Sequence, residues 1–476
     1  MPLIILTLCL CAEQPASAQT PSPASTSSPA SGPTYTIQSG DTLSSIAERF
    51  SVSMNDLMTA NNITDANSIQ AGQQLVIPGL EDVTGTLNTD VINFGDSFHS
   101  LIRQTQIPAE LLEKLNHIIS PSEFYVGANM IVPQQNNSSI LTNRTTPNAG
   151  ESLLEIAVKQ NTDPWTLVSI NELGGTWDTL PGDVLYAPGA ASASSQTASG
   201  LPSAFMDVQT PNLPFKQGGT AEIIVKPANG VTLGGILVDK PLHFFPMGDG
   251  RMVALQGVYV ELDPGVYPLE LDAALPNGTK QSFEQMVLVG IGDEPKVVEP
   301  VPPDDPSLLE SEDKQVASIV SGATPTKDWQ GKFILPVGLP YCIKDWFGTP
   351  RTFPYNGGVY HYFHGGVDYG VCSQDHPFDI YAAAPGTVVF AGKLLPAPNP
   401  PRGNATIINN GWGVYTLYAH QLDNGIYVTA GQQVQAGQLI GHIGATGHVT
   451  GPHLHFEMWV NGVQVNPLDW LSSTFP

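Results

Sequence analysis

Residues 444–457 read Gly444-Ala445-Thr446-Gly447-His448-Val449-Thr450-Gly451-Pro452-His453-Leu454-His455-Phe456-Glu457. The glycines and Pro452 let the chain turn tightly, and the segment after them reads as a strand. On a strand alternate side chains share a face, so His453 and His455 point the same way, their backbones about 6.6 Å apart. One imidazole can then ligate a metal while the other reaches a metal-bound water or the substrate. Glu457 lies on the same face and competes as a ligand, but two ligands two residues apart on one strand are sterically awkward.

Eight of the eleven histidines lie after residue 360. His364-Gly365-Gly366-Val367-Asp368 puts an imidazole and a carboxylate close together. Two glycines argue against a helix there, so a loop entering a strand is the better reading. Imidazole nitrogen and carboxylate oxygen both suit zinc. Tyr418-Ala419-His420 ends another expected strand, after an Asn410-Gly411 turn, with Val414, Thr416, Tyr418 and His420 on one face. His361, His376, His442 and His448 read as loop residues at a groove rim.

Taken in order, FHGGVD (363–368), YAHQ (418–421) and GATGHVTGPHLHFE (444–457) resemble the M23 family of zinc metallopeptidases, the lysostaphin and LytM type, over roughly residues 331–472. The resemblance implies a mainly antiparallel β domain with a groove. It implies one zinc ion held by His364, Asp368 and His455, with His420 and His453 as catalytic histidines. Val434 and Gly437-Gln438-Leu439-Ile440-Gly441 fit the same pattern, and Val371–Phe378 stands out as an insertion. Three protein ligands leave a fourth position for water, as in catalytic rather than structural sites. Zinc would acidify that water and polarise a scissile carbonyl.

The N-terminal part repeats itself. Gly40-Asp41, Gly95-Asp96 and Gly150-Glu151 recur at a step of 55, as do Asn61, Asn116 and Asn171, and Gly72, Gly127 and Gly182. Ile77-Pro78, Val132-Pro133 and Ala187-Pro188 close the three units in the same register. Each unit reads strand, helix, helix, strand. In the first, Leu43, Ile46, Ala47 and Phe50 make one helical face, Asp41 or Thr42 can cap that helix, and Ser53 can cap the next. YTIQSGDTLSSIAERF (35–50) and QAGQQLVIP (70–78) resemble the LysM domain. That resemblance implies a βααβ module binding N-acetylglucosamine-containing chains of peptidoglycan. The other two units are degenerate, with Phe94 and Ala149 where Ser39 stands, and serve as glycan binders or as spacers.

Between these parts, residues 201–292 read as a small β-sandwich. Leu269 and Leu271 alternate with Glu270 and Asp272, and Asn277-Gly278 signals a hairpin. Residues 293–313, rich in proline and acid, read as an extended, self-repelling linker. The expected organisation is thus multidomain: signal peptide 1–18, Ser/Pro/Ala linker 19–33, LysM-like modules 34–79, 88–134 and 144–189, β-sandwich 201–292, Pro/acidic linker 293–330, and a mainly antiparallel β peptidase domain 331–476.

Composition agrees. A chain of 476 residues with 41% hydrophobic residues can bury several cores, while 13% charged residues with 47 glycines and 42 prolines favour strands and turns. A formal charge of −25 excludes a nucleic-acid partner. Leu3–Cys11 is too short to span a membrane and, with Ala16-Ser17-Ala18 after it, reads as a cleaved signal although no basic residue precedes it. No other stretch is long enough to cross a membrane. Of the four cysteines, Cys342 and Cys372 remain after cleavage, as a disulfide or as two thiols. The expected function is a secreted, wall-associated zinc metalloendopeptidase that hydrolyses peptide cross-links of peptidoglycan. Alternatives are a catalytically silent activator of other wall hydrolases, or a glycan-binding wall protein.

Overall fold

The computed structural model describes residues 32–80, 83, 85–118, 120, 123–134, 141, 143–147, 150–180, 183–189, 200–301, 305–371, 378–397 and 400–476. The expected signal peptide, most of the linker after it, residues 190–199, Ala149, Gly182, Cys372 and His376 lie outside the described residues. The described residues up to Asn88, with Pro133 and Gln134, form one compact unit, and the rest form a second.

In the first unit, strand Thr34–Thr36 pairs antiparallel with Gln74–Val76 around helices Leu43–Arg49 and Met54–Ala60. Leu43, Ile46, Ala47 and Phe50 are all buried. Thr42 rather than Asp41 caps the first helix, its hydroxyl accepting from the Ser45 amide, and Ser53 caps the second. Asp41 instead accepts from the Gln38 amide and the Tyr35 hydroxyl. The Asn61 side chain staples helix to strand. It donates to the carbonyls of Leu57 and Val76 and accepts from the Val76 amide.

The second unit holds two further helix pairs, Phe98–Thr105 with Ala109–Asn116 and Leu153–Lys159 with Pro164–Ile170. Asn116 makes the same three bonds to Leu112 and Ile131, and Asn171 to Leu167 and Tyr186. The step of 55 therefore marks a repeated local arrangement. Arg103 ties the two pairs together, donating to the carbonyls of Asn171 and Val184. Phe94, which breaks the repeat pattern, is buried edge-on against Phe283 at 6.5 Å. Gln285 accepts from the Gly95 amide and donates to the carbonyls of Asn93 and Asp96. The departure from the repeat is the residue that docks this segment onto the sheet behind it.

Residues 205–290 form a five-stranded and a four-stranded sheet that share a core including Phe205, Ile223, Val225, Leu269, Leu271, Val287 and Val289. Gly265–Ala274 and Lys280–Gly290 pair across the Asn277-Gly278 turn, where Gly278 adopts φ +84°. These sheets are not set apart from the C-terminal region. Phe245 stacks on Trp412 at 5.4 Å, and Ile224, Val253 and Leu255 belong to one core with Trp329, Val460 and Trp470. Trp470 Nε1 donates to Thr220 Oγ1 at 3.0 Å.

The expected extended linker is also different. Glu299–Pro300 pairs with Arg351–Thr352, and Pro306–Val320 is a helix capped by Asp305. Asp followed by proline at the first helical position favours that start. Glu312, Val316 and Val320, spaced by four, are buried on one face. Acid-rich composition masks a helical stripe, and the self-repulsion it implies is met by an arginine from elsewhere, Arg402.

The C-terminal region is built on an eight-stranded antiparallel sheet ordered Cys342–Asp345, Val367–Gly370, His453–Val460, Val414–Ala419, Asn404–Gly411, Gly386–Lys393 and Gln433–Val434, with Val463–Val465 beside His453–Val460. A second sheet joins Asp379–Tyr381, Leu439–Ile443 and Gln421–Ile426. Cys342 is disulfide-bonded. No helix among the described residues is long and apolar enough to cross a membrane.

Candidate metal centre

His453–Val460 lies between the strands Val367–Gly370 and Val414–Ala419, so the register sets the site. Asp368 and Ala419 both stand opposite His455, and Gly370 stands opposite His453. His364 enters from the turn after Gly358–Phe363. Gly366 makes the approach possible, since a Cβ there would lie 2.4 Å from the Phe456 carbonyl and 3.0 Å from the His455 ring.

The result is a buried cluster. His364 Nε2, Asp368 Oδ1 and His455 Nδ1 converge, at 3.1 Å for His364–Asp368, 2.9 Å for His364–His455 and 2.8 Å for His455–Asp368. The outer partners fix which nitrogens are free. A carbonyl can only accept, so His364 Nδ1, 2.9 Å from the Trp346 carbonyl, carries the proton and leaves Nε2 bare. His455 Nε2 donates to Glu457 Oε1 at 2.9 Å, leaving Nδ1 inward. Two imidazole nitrogens and one carboxylate oxygen suit zinc and leave an open position on the metal.

The electrostatics of the metal-free cluster arise from this packing. Burial opposes charge on both His455 and Asp368, but each overcomes it through the other. Contacts with Asp368 and Glu457 raise His455 to about 9. Those with His364 and His455 hold Asp368 well below the usual carboxylate range. Asp345 backs the cluster, accepting from the Trp346 amide and Thr349 hydroxyl and pairing with Arg351, which also lies 3.9 Å from Asp368.

His420 and His453 stand beside the cluster. His420 sits just past the strand rather than ending it and adopts φ +59°, a left-handed conformation uncommon for any residue but glycine. Its Nδ1 donates to the Thr446 carbonyl at 2.9 Å, and His453 Nδ1 donates to the Gly451 carbonyl at 2.9 Å. Both Nε2 atoms are therefore bare when the rings are neutral. Burial pushes His420 well below the ordinary imidazole value and lowers His453 as well. All five residues singled out in the sequence are brought together. His361 and His442, expected in rim loops, lie on strands, and His442 pairs with Asp379 at 3.2 Å.

Sequence reasoning misses the supporting partners. It treats Glu457 only as a rival ligand, whereas this carboxylate lies on the far nitrogen of His455. Its period-two spacing from His455 is the available signal. The Trp346 carbonyl, Asp345 and Arg402 carry none.

An antiparallel sheet thus presents a buried His–Asp–His cluster that could hold a metal ion, beside two further histidines whose bare nitrogens could accept a proton. Residues 362–467 match the model of peptidase family M23, and residues 35–78 match the LysM domain. The chain therefore carries an M23 peptidase domain and a LysM domain. Over 105 residues it is 40% identical to the DD-carboxypeptidase/endopeptidase Mpg of Neisseria meningitidis serogroup B, covering 22% of each chain. Over 133 residues it is 37% identical to the peptidoglycan DD-endopeptidase ShyA of Vibrio cholerae, covering 28% of each. The matched part thus spans less than a third of these relatives' own length. Among solved structures, the catalytic domain of the antimicrobial peptidase lysostaphin from Staphylococcus simulans is 31% identical with a TM-score of 0.22, covering 28% of this chain and 93% of that one.

Proposed function

We propose that this protein is an extracytoplasmic, wall-associated zinc metalloendopeptidase that hydrolyses peptide cross-links of peptidoglycan. The observation that carries the reading is the convergence of three potential ligand atoms, His364 Nε2, Asp368 Oδ1 and His455 Nδ1, on residues each held by an outer hydrogen bond or ion pair. The likeness of residues 362–467 to proteins named as peptidoglycan endopeptidases supports the substrate class.

In this reading His364, Asp368 and His455 hold one zinc ion, which supplies Lewis acidity to the scissile carbonyl and to water. The chain's own residues do the rest. A neutral His420 or His453 takes a proton from water at its bare Nε2, and the imidazolium so formed passes that proton to the leaving amine. The first LysM domain binds wall glycan. The segments 88–134 and 144–189 are degenerate copies of it, a view supported by the shared bonds of Asn61, Asn116 and Asn171. The alternative of a silent activator is disfavoured because all five site positions are filled.

The experiment is digestion of purified peptidoglycan by the zinc-loaded protein, with products identified by mass spectrometry. Cleaved cross-link peptides with intact glycan are expected. Intact muropeptides in the presence of stoichiometric zinc would overturn the enzymatic reading.

A further inference from the structure

Glu457 Oε1 accepts from His455 Nε2 and also from Arg402 Nε, at 2.5 Å. Trp459 Nε1 and Gln464 Nε2 donate to its other oxygen at 2.7 and 2.9 Å. Arg402 is in turn gripped from outside the catalytic sheet. Glu312 Oε2, on the helix Pro306–Val320, accepts from the Arg402 amide at 2.9 Å and pairs with its guanidinium at 3.2 Å, and Asp313 adds a contact at 2.7 Å. The Arg402 carbonyl accepts from the His420 amide at 3.0 Å. One arginine therefore touches the supports of both His455 and His420.

Glu312 is fully buried, and among the described residues its Oε1 has no hydrogen-bond partner. A half-satisfied buried carboxylate is a poor device for helix docking, since well-packed apolar groups do that at least as well. Its one evident employment is to orient Arg402. The relay Glu312–Arg402–Glu457–His455 runs from a helix outside residues 362–467, the part matched by the peptidase family model, to the outer nitrogen of a histidine whose other nitrogen faces the cluster.

We propose that Arg402 and Glu312 are positioning residues for the metal site, so that the helix Pro306–Val320 belongs to the metal-binding unit. The proposal rests on His455 being a zinc ligand. Outer partners of metal-bound histidines typically affect metal affinity by about 10- to 100-fold. Full-length Glu312→Gln should therefore bind zinc about tenfold more weakly in chelator competition, and Arg402→Gln more weakly still. The cobalt-loaded Glu312→Gln protein should show displaced visible bands. Val316→Ala, on the same helix face but off the relay, serves as the packing control, compared at equal loss of thermal stability. If Val316→Ala weakens zinc binding as much as Glu312→Gln, the helix is merely structural and the proposal falls. It falls equally if Glu312→Gln binds zinc like the parent with an unchanged cobalt spectrum. A parent protein that binds no zinc, or whose binding is unchanged in His455→Ala, would instead overturn the ligand assignment beneath it. Should Arg402→Gln fail to fold, Glu312→Gln and its spectrum still decide.

Discussion

His420 and His453 lie with ring centroids 4.8 Å apart, each donating Nδ1–H to a backbone carbonyl and each lowered in basicity by burial. They form a pair of neutral bases facing the cluster without belonging to it. Substituting His420 should therefore separate chemistry from metal binding. Asn suits the left-handed backbone there better than Ala. His420→Asn should keep one zinc per chain and lose about 10²- to 10⁴-fold in turnover. Elemental analysis alongside muropeptide kinetics checks this; loss of zinc, or near-parental turnover, would contradict it.

Asp368 is the only carboxylate in the cluster among the described residues, and its Oδ1 lies 3.1 Å from His364 Nε2 and 2.8 Å from His455 Nδ1. Asp368→Asn should lower zinc to substoichiometric levels and abolish wall hydrolysis. Stoichiometric zinc in a folded Asp368→Asn protein would remove Asp368 from the ligand set.

Zinc and a proton compete for His455 Nδ1. With His455 raised to about 9 in the metal-free protein, binding at neutral pH should release one proton. Apparent affinity should rise about tenfold per pH unit and level off near pH 9. The sign for stability is the reverse. A raised histidine stabilises the metal-free fold fully below its unfolded value of about 6.5, and this stability is lost as pH rises through about 9. Titration calorimetry in buffers of different ionisation heat measures the proton count; a count near zero at pH 7 would refute the shared-proton picture.

Residues 331–476 alone should not make a stable fragment. They lack Trp329, which packs edge-on against Trp412 and Trp470, and Phe245, which stacks on Trp412. A fragment from residue 201 keeps both, together with the helix Pro306–Val320. The shorter fragment should aggregate or melt far below the longer one in a thermal scan. A cooperative melt at the same temperature for both would show the two sheets at 205–290 to be dispensable.

Phe94→Ser restores the residue found at position 39 and should cost about 3 kcal/mol at the Phe283 contact. Amide exchange should speed up in Phe98–Thr105 while Val414–Ala419 stays protected. Unchanged exchange in that helix would mean Gln285 alone holds the segment.

The His364–Asp368 and His453–His455 segments are local patterns that a sequence displays, as is the register of the repeat, but the joining of His364, Asp368 and His455 into one set comes from the resemblance to the M23 family. The supports of the cluster were not legible in the sequence. Arg402 and Glu312 are 90 residues apart and meet only through the fold, and Trp346 contributes a carbonyl, which every residue has. The helix at Pro306–Val320 was hidden because its inward stripe includes a glutamate. The join between the 205–290 sheets and the catalytic sheet depends on aromatic residues that look in sequence like ordinary core.

Each asparagine staple closes over 15 residues, whereas the contacts of His455 with Asp368 and His364 close over 87 and 91. Short-range contacts form early and long-range ones late. On a growing chain the three helix pairs can be complete while the strand bearing His453 and His455 is still unsynthesised. That strand lies inside the sheet, flanked by Val367–Gly370 and Val414–Ala419, so the metal cluster has no half-built form. A chain interrupted before residue 453 lacks both His453 and His455, so on the proposed function it cannot cut the wall that the helix pairs would already hold.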